Sequence, residues 1–312
     1  MSREGSSASR WRGRLLVLLA AVLWSLSGAF TKILTGSEGL AATLGLNDPP
    51  PAPLLIAFFR TFFAALFFLP WLGAVRIRFR LPMLFMVLSF TAMNATFVSA
   101  MVIGTAANAI VLQYTAPLWL YLAGIWWLKE SPDRRSTTAL ILAMTGVAII
   151  VVDACIYATS DILWGILLGL ASGLAYAGVV FFLRVLRDEP GQWLTVQNHL
   201  CAALFLSPLL FWLPWPTWSQ IGFLAIYGVV QMGIPYMLLS RGLRTVSASE
   251  AGTLTLLEPI LNPLWTYLAV GEVPATATFL GGAMILCGLA WRYLPAFRQS
   301  LRSSGADSAA AN

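Results

Sequence analysis

Apolar residues run along this chain in blocks too long for an ordinary core helix and too continuous for a half-buried strand. Ten blocks can be drawn, at roughly 14–34, 53–75, 81–103, 107–128, 136–153, 161–184, 193–214, 218–242, 246–269 and 276–294. Each is close to the about 20 residues that cross a bilayer as a helix. Barrel strands would be shorter and would alternate polar with apolar positions. The pattern therefore predicts an all-α polytopic membrane protein with ten transmembrane helices.

The polar positions between the blocks alternate in charge. Apart from Lys32 and Arg60, the Lys and Arg residues gather in the N-terminal tail (Arg3, Arg10, Arg12, Arg14), in every second connection, and in the C-terminal segment (Arg292, Arg298, Arg302). The basic connections are RIRFR at 76–80, KESPDRR at 129–135, RVLR at 184–187 and RGLR at 241–244; PWPTW at 214–218 and GEVPA at 271–275 carry no Lys or Arg. Basic residues mark the cytoplasmic side of a membrane, so both termini are predicted to be cytoplasmic. The same arrangement suits a bacterial inner membrane.

Composition agrees: 59% of the 312 residues are hydrophobic and 10% charged, against about a quarter charged in soluble domains. The net charge of +6 is accounted for by the membrane-orienting clusters, and no nucleic acid partner is implied. The first block follows a basic stretch, as in a signal peptide, but it is too long and lacks a small-residue cleavage site; it is read as a retained helix. Segments 1–13 and 303–312 are read as polar tails, the second (after Arg302) without fixed structure. Cys155, Cys201 and Cys287 indicate neither a disulfide framework nor a metal site, and no cofactor is implied.

The block pattern is written twice. At an offset of 142 residues, Ala106, Ala109, Leu112, Pro117, Leu122, Glu130, Pro132 and Gly146 meet Ala248, Ala251, Leu254, Pro259, Leu264, Glu272, Pro274 and Gly288. AALF recurs at 64–67 and 202–205, and LAAVL at 19–23 aligns with LASGL at 170–174. Two units follow, 14–153 and 161–294, of five helices each. Five is odd, so the second unit enters the membrane from the opposite side. Inverted repeats of this kind put a site near mid-membrane, at their interface, and support alternating access.

The paired blocks LQYTAPLWLYLAGIWWLKESP and LTLLEPILNPLWTYLAVGEVP, with LAAVLWSLSGAFTK and FFRTFFAAL upstream, resemble the two EamA-type repeats of the drug/metabolite transporter superfamily. The resemblance covers about 14–294. It implies a secondary transporter of a small molecule, the family's members carrying amino acids, other metabolites, nucleotide sugars or drugs, with export as the expected direction. The superfamily's small multidrug-resistance branch relies on a carboxylate in its first helix; Trp24, Ser25 and Ser27 occupy that helix here, so that mechanism is not carried over.

A charge at the bilayer centre costs about 2.5–3.5 kcal/mol on insertion scales and needs a partner or a wet cavity. Arg60 in the second block and Glu258 in the ninth are such charges. Their depths are similar, so they are expected either to pair or to share a zwitterionic substrate, Arg60 taking a carboxylate and Glu258 an amine. Thr255, Glu258, Asn262 and Thr266 fall on one helical face, and Gln113 and Tyr114 occupy the matching region of the first unit. The expected binding set is Arg60, Gln113, Tyr114, Thr255, Glu258 and Asn262. His199, Glu258 and Glu250 are candidates for a gate or proton site, with protons as a coupling partner. For His199 the simpler reading is donation to a backbone carbonyl between helices.

Pro117, Pro259 and Pro263 lack amide donors and free carbonyls one turn earlier; they are read as hinges. Asn94 and Gln231 are further cavity-lining candidates. Glu130 and Glu272 are read as caps ending their own helices, and Trp212, Trp215 and Trp218 as interface anchors.

A Ser/His or metal-dependent hydrolase needs its bases, and the chain offers a single His with no second metal ligand at a helical spacing. No phosphate loop is present, so no enzyme activity is expected, and an intramembrane enzyme ranks below the other alternative. The rival reading is a non-transporting scaffold or lipid-handling protein of the same fold. A single chain suffices for the ten-helix unit.

Overall fold

The computed structural model describes residues 4–70, 78–127, 129, 131, 133–157 and 160–309. Among them every regular element is helical. Eight stretches are long and apolar enough to cross a membrane: Arg10–Thr35, Leu81–Ile103, Ala106–Trp126, Arg134–Tyr157, Ser160–Val185, Gly191–Phe211, Trp218–Gly242 and Thr276–Leu294. Of the other two apolar blocks, one forms a helix of 16 residues, Pro53–Phe68. The other, beginning at Ala248, is divided into three pieces.

In chain order the helices are α1 (Glu4–Ser25), α2 (Ser27–Thr35), α3 (Leu40–Leu44), α4 (Pro53–Phe68), α5 (Leu81–Ile103), α6 (Ala106–Gln113), α7 (Ala116–Trp127), α8 (Arg134–Tyr157), α9 (Ser160–Val185), α10 (Gly191–Leu206), α11 (Trp218–Tyr227), α12 (Ile234–Gly242), α13 (Ala248–Leu254), α14 (Glu258–Val270) and α15 (Thr276–Ala309). The backbone of the C-terminal tail, expected to lack fixed structure, continues α15 as far as Ala309.

The interruptions have identifiable causes. Pro117 and Pro259 occupy equivalent positions in the two units and cannot donate to the carbonyls four residues earlier. The helix parts just ahead of each, at Tyr114–Thr115 between α6 and α7 and in a 3₁₀ turn at Thr255–Leu257 between α13 and α14. Pro263, read as a hinge, lies inside unbroken α14. A third interruption is a π turn, Gly228–Gly233, between α11 and α12. Pro235 cannot donate to the Gln231 carbonyl; just before it, the Ile234 N–H reaches back five residues to Val229. The fourth separates α1 from α2 at Leu26.

The two units interleave. The long seams pair α5 with α9, α8 with α15, α1 with α12, α4 with α10 and α2 with α14, each joining a helix before residue 158 to one after it. Gly146 and Gly281 make the α8–α15 seam close, since a Cβ on either would stand 2.4 Å from the other's carbonyl oxygen.

The ends of the bundle differ in chemistry. At the basic end Arg14 is ion-paired to Glu250, Arg80 lies 3.3 Å from Glu189, and the Trp193 indole donates to the Arg78 carbonyl at 2.9 Å. At the charge-poor end Lys32 meets Glu272 at 2.9 Å. There the Gln220 amide donates to the carbonyls of Leu46 and Pro49, both at 2.8 Å, fastening the first connection. Trp212, Trp215 and Trp218 are exposed at this end, as interface anchors would be.

Candidate functional site

The interruptions surround a polar cavity. Its inner part, of about 50 Å³, is lined by Trp24, Arg60, Gln113, Tyr114, Gln231 and Glu258, with Met93, Phe97, Tyr176, Met232 and Tyr236. That is room for one or two waters at roughly 30 Å³ each. A larger space of about 270 Å³ shares Trp24, Tyr114, Tyr176 and Glu258 and runs past Leu239, Leu243 and Tyr293, toward the basic end.

Arg60, on α4, is 2% exposed. Its Nε donates to Asn94 Oδ1 at 2.7 Å and its Nη1 to the Tyr227 hydroxyl at 3.0 Å. Asn94 is held in turn by the Ala57 carbonyl at 2.9 Å. The Tyr227 oxygen also meets the Ser27 carbonyl at 3.1 Å and Thr31 Oγ1 at 2.8 Å. The guanidinium lies over the rings of Phe97 and Tyr227, 5.8 and 5.4 Å from their centroids. These neutral partners fix the cation and leave its charge uncompensated by any carboxylate within 4 Å among the described residues.

Glu258 opens α14. Tyr114, in the break between α6 and α7, places its hydroxyl 2.8 Å from Glu258 Oε2 and 2.7 Å from the Thr255 carbonyl, sharing its one proton between the two acceptors. That carbonyl is the one Pro259 deprives of a helical partner, so the tyrosine satisfies a backbone acceptor and orients the carboxylate together. Gln113 is fixed beside it by a 2.8 Å bond to Ser172 on α9. The direct Arg60–Glu258 ion pair raised by sequence does not form. The two opposite charges instead line one cavity, each held by neutral groups.

Other expected residues serve elsewhere. Asn262 is fully buried; its amide donates to Ser27 Oγ at 2.9 Å, in the seam where Gly28 faces Asn262 and Thr266. The expectation that it faces substrate is thus replaced by a seam contact, because the helical face turns away from the cavity below Glu258. Thr255 reaches the larger space, with its hydroxyl bonded to the Gly252 carbonyl at 3.1 Å. Glu250 is ion-paired to Arg14 at the basic end, away from the central cavity.

His199 is fully buried behind Tyr236, its ring 5.1 Å from that tyrosine and 4.9 Å from Phe90. Its Nδ1 meets the Thr195 carbonyl at 2.8 Å, one turn earlier in its own helix α10 and not between helices as the sequence reading had it.

Glu272 does not end its own helix. Gly271, in the left-handed region at φ +72°, closes α14. The Glu272 carboxylate crosses to α6, accepting the Ala106 N–H at 2.8 Å and pairing with Lys32, whose Nζ also donates to the Gly104 carbonyl at 2.9 Å. A carboxylate at a helix N-terminus is favourable for both the orphan donors and the helix dipole. The corresponding readings of Glu130 and Pro132 lie outside the described residues.

Sequence reasoning missed Trp24, Tyr176 and Tyr236 as walls of the cavity, and Tyr227 as a partner of Arg60. Aromatics are frequent along the chain, 12% of its residues, and nothing in their spacing distinguishes these four.

Comparison with known proteins gives concordant matches. The model of the EamA-like transporter family matches twice, over residues 11–152 and 163–294. An uncharacterized transporter of Archaeoglobus fulgidus is 29% identical over 291 residues, covering 90% of this chain and 96% of that protein. The uncharacterized transporter YwfM of Bacillus subtilis is 28% identical over 211 residues, covering 65% of this chain and 67% of that protein. The pseudopaline exporter CntI of Pseudomonas aeruginosa is 25% identical over 183 residues, 58% of this chain and 63% of that protein. A solved crystal structure superposes with a TM-score of 0.62 over 93% of this chain and 99% of its own, at 19% identity, which is likeness of fold.

Proposed function

The chain belongs to the EamA-like transporter family, and from that premise we propose that it is a secondary transporter of a small zwitterionic metabolite, an amino acid or a close relative. The observation that carries the reading is the shared cavity of Arg60 and Glu258. A fixed guanidinium and a fixed carboxylate that make no direct ion pair with each other suit a molecule bearing both a carboxylate and an amine. Such a molecule supplies a counter-charge to buried Arg60 and to half-buried Glu258, and burial of a charge without one is costly. The aromatic walls, Trp24, Tyr176 and Tyr236, suit an apolar remainder.

In this reading the units 14–153 and 161–294 are five-helix repeats of inverted topology, with ten crossings and both termini in the cytoplasm of a cell whose inner membrane holds the protein. The alternation of basic connections supports that orientation, and with it the larger space extends toward the cytoplasm. The Lys32–Glu272 pair then closes the outer end. Alternating access exchanges this arrangement for one open outside, with the breaks at Tyr114–Thr115 and Thr255–Leu257 as flexing points, as discontinuous helices serve in other transporters. The inward opening, and a relative named as an exporter, favour export.

The test is counterflow in proteoliposomes. Purified protein is reconstituted with internal amino acids, singly and as a panel, and uptake of the labelled counterpart is followed. Exchange in the wild type, lost in both Glu258→Gln and Arg60→Ala at equal reconstitution, is the expected result. Absence of flux and of any thermal shift across the panel would favour a scaffold of the same fold.

A further inference from the structure

Gln231 stands in the π turn between α11 and α12 and lines the inner cavity with Arg60 and Glu258. It is 3% exposed. Its Nε2 donates to the Trp24 carbonyl at 3.2 Å, adjoining the break in the first helix. The amide cannot be turned over without setting oxygen against oxygen, so Oε1 points away from Trp24. That oxygen is buried and has no hydrogen-bond partner among the described residues. An acceptor left in this state costs about 1–3 kcal/mol, and such exceptions call for a missing donor.

The backbone around it is built to hold that position. Gly228 lets the π turn press on α4: a Cβ there would stand 2.6 Å from the Arg60 carbonyl oxygen. Gly233 likewise meets the ring of Phe67, 2.7 Å from such a Cβ. Tyr227, just ahead of the turn, holds Arg60. Widened turns of this type are frequent at functional sites, and this one fixes Gln231 against the same helix that carries the cation.

Building on the zwitterion reading above, we propose that Gln231 is a specificity residue: its Oε1 accepts an N–H of the cargo's amine while Glu258 balances the charge. The site therefore requires a protonated amine that still carries hydrogens. Glu258 with the rings of Trp24, Tyr176 and Tyr236 could by themselves hold a quaternary ammonium through charge and cation–π attraction. The amide oxygen cannot, because a trimethylated nitrogen has nothing to donate. The assigned class is the primary or secondary amine, and the excluded one is the betaine.

The experiment compares amino acids with their N,N,N-trimethyl counterparts as competitors of counterflow and as thermal-shift ligands of the purified protein. In the wild type each free amine is expected to bind about tenfold more tightly than its betaine, the size of one hydrogen bond. Gln231→Leu reduces the ratio by weakening the amine alone, the remainder being the ammonium's own hydrogen bonds to Glu258, and Gln231→Glu, which keeps an acceptor, retains the preference. A wild type that binds both series equally overturns the inference and leaves the zwitterion reading intact. So does a preference undiminished in Gln231→Leu. A wild type that binds neither series overturns the cargo class and the role of Gln231 together.

Discussion

The Tyr114 hydroxyl stands 2.8 Å from Glu258 Oε2 and 2.7 Å from the Thr255 carbonyl, so one side chain of the first unit serves both the carboxylate and the broken backbone of the second. Tyr114→Phe removes that donor while preserving the ring. The expected loss is about tenfold in apparent affinity for an amine cargo, the scale of one hydrogen bond to a buried group, with a lower thermal midpoint because the Thr255 carbonyl becomes an orphan. Counterflow kinetics and thermal unfolding of the purified variant measure both. Unchanged transport would separate Tyr114 from the site.

Lys32, Glu272 and the Ala106 N–H form the tie at the charge-poor end, with the two side chains only 13% and 17% exposed. Glu272→Gln keeps an acceptor for Ala106 but loses the charge, and Glu272→Ala loses both. Thermal midpoints should fall in that order, the second by the larger amount. If the tie holds the end shut, both variants also raise thiol labelling of a cysteine introduced at Phe97 and probed from that side, in a background lacking Cys155, Cys201 and Cys287. Faster unfolding without faster labelling would make the tie a structural staple alone.

Asp133 lies outside the spans, and its carboxylate accepts the Ser136 N–H at 2.9 Å at the start of α8. Hydrogen bonds from the Ser136 side chain and backbone hold its carboxyl below the ordinary carboxylate range. A depressed folded-state value stabilises above the unfolded pKa and is lost as pH falls through the folded one. Asp133→Ala should therefore lower the thermal midpoint at neutral pH, and the gap to wild type should close on acidification. Tryptophan fluorescence melts across an acid series follow it; a gap independent of pH would remove the carboxylate from the explanation.

Much of the class was legible because membranes penalise the wrong residue heavily. Arg60 and Glu258 stood out as charges in apolar blocks, and the prolines announced breaks that fall at Tyr114–Thr115 and Thr255–Leu257. Depth along a helix, however, does not fix rotation or tilt. Asn262 shares a face with Glu258 in the sequence pattern, yet it is used against Ser27. Glu272 looked local because it follows its own helix, whereas the α6 terminus it satisfies is 166 residues away. The π turn left a signal of its own, Gly228, Gly233 and Pro235 within a single span. Only the fold reveals that those glycines meet the backbone of Arg60 and the ring of Phe67.

That contact yields a paired prediction within one helical crossing. Gly222, in α11, has nothing among the described residues within 4 Å of where a Cβ would stand, whereas at Gly228 that atom would lie 2.6 Å from the Arg60 carbonyl oxygen and 2.8 Å from Phe63 Cβ. Gly222→Ala removes unfolded-chain freedom without a clash and should stabilise by about 0.4–1 kcal/mol. Gly228→Ala must push α4 away, because a carbonyl and a Cβ in a helix cannot swing aside as a side-chain tip can. Overpacking of this kind costs about 1–3 kcal/mol. The displacement carries Arg60 away from Tyr227 and Gln231, so affinity for a carboxylate-bearing cargo should fall along with the melting point. Equal melting points for the two variants would mean that the π turn does not bear on α4 as described, and that Arg60 is held by its side-chain partners alone.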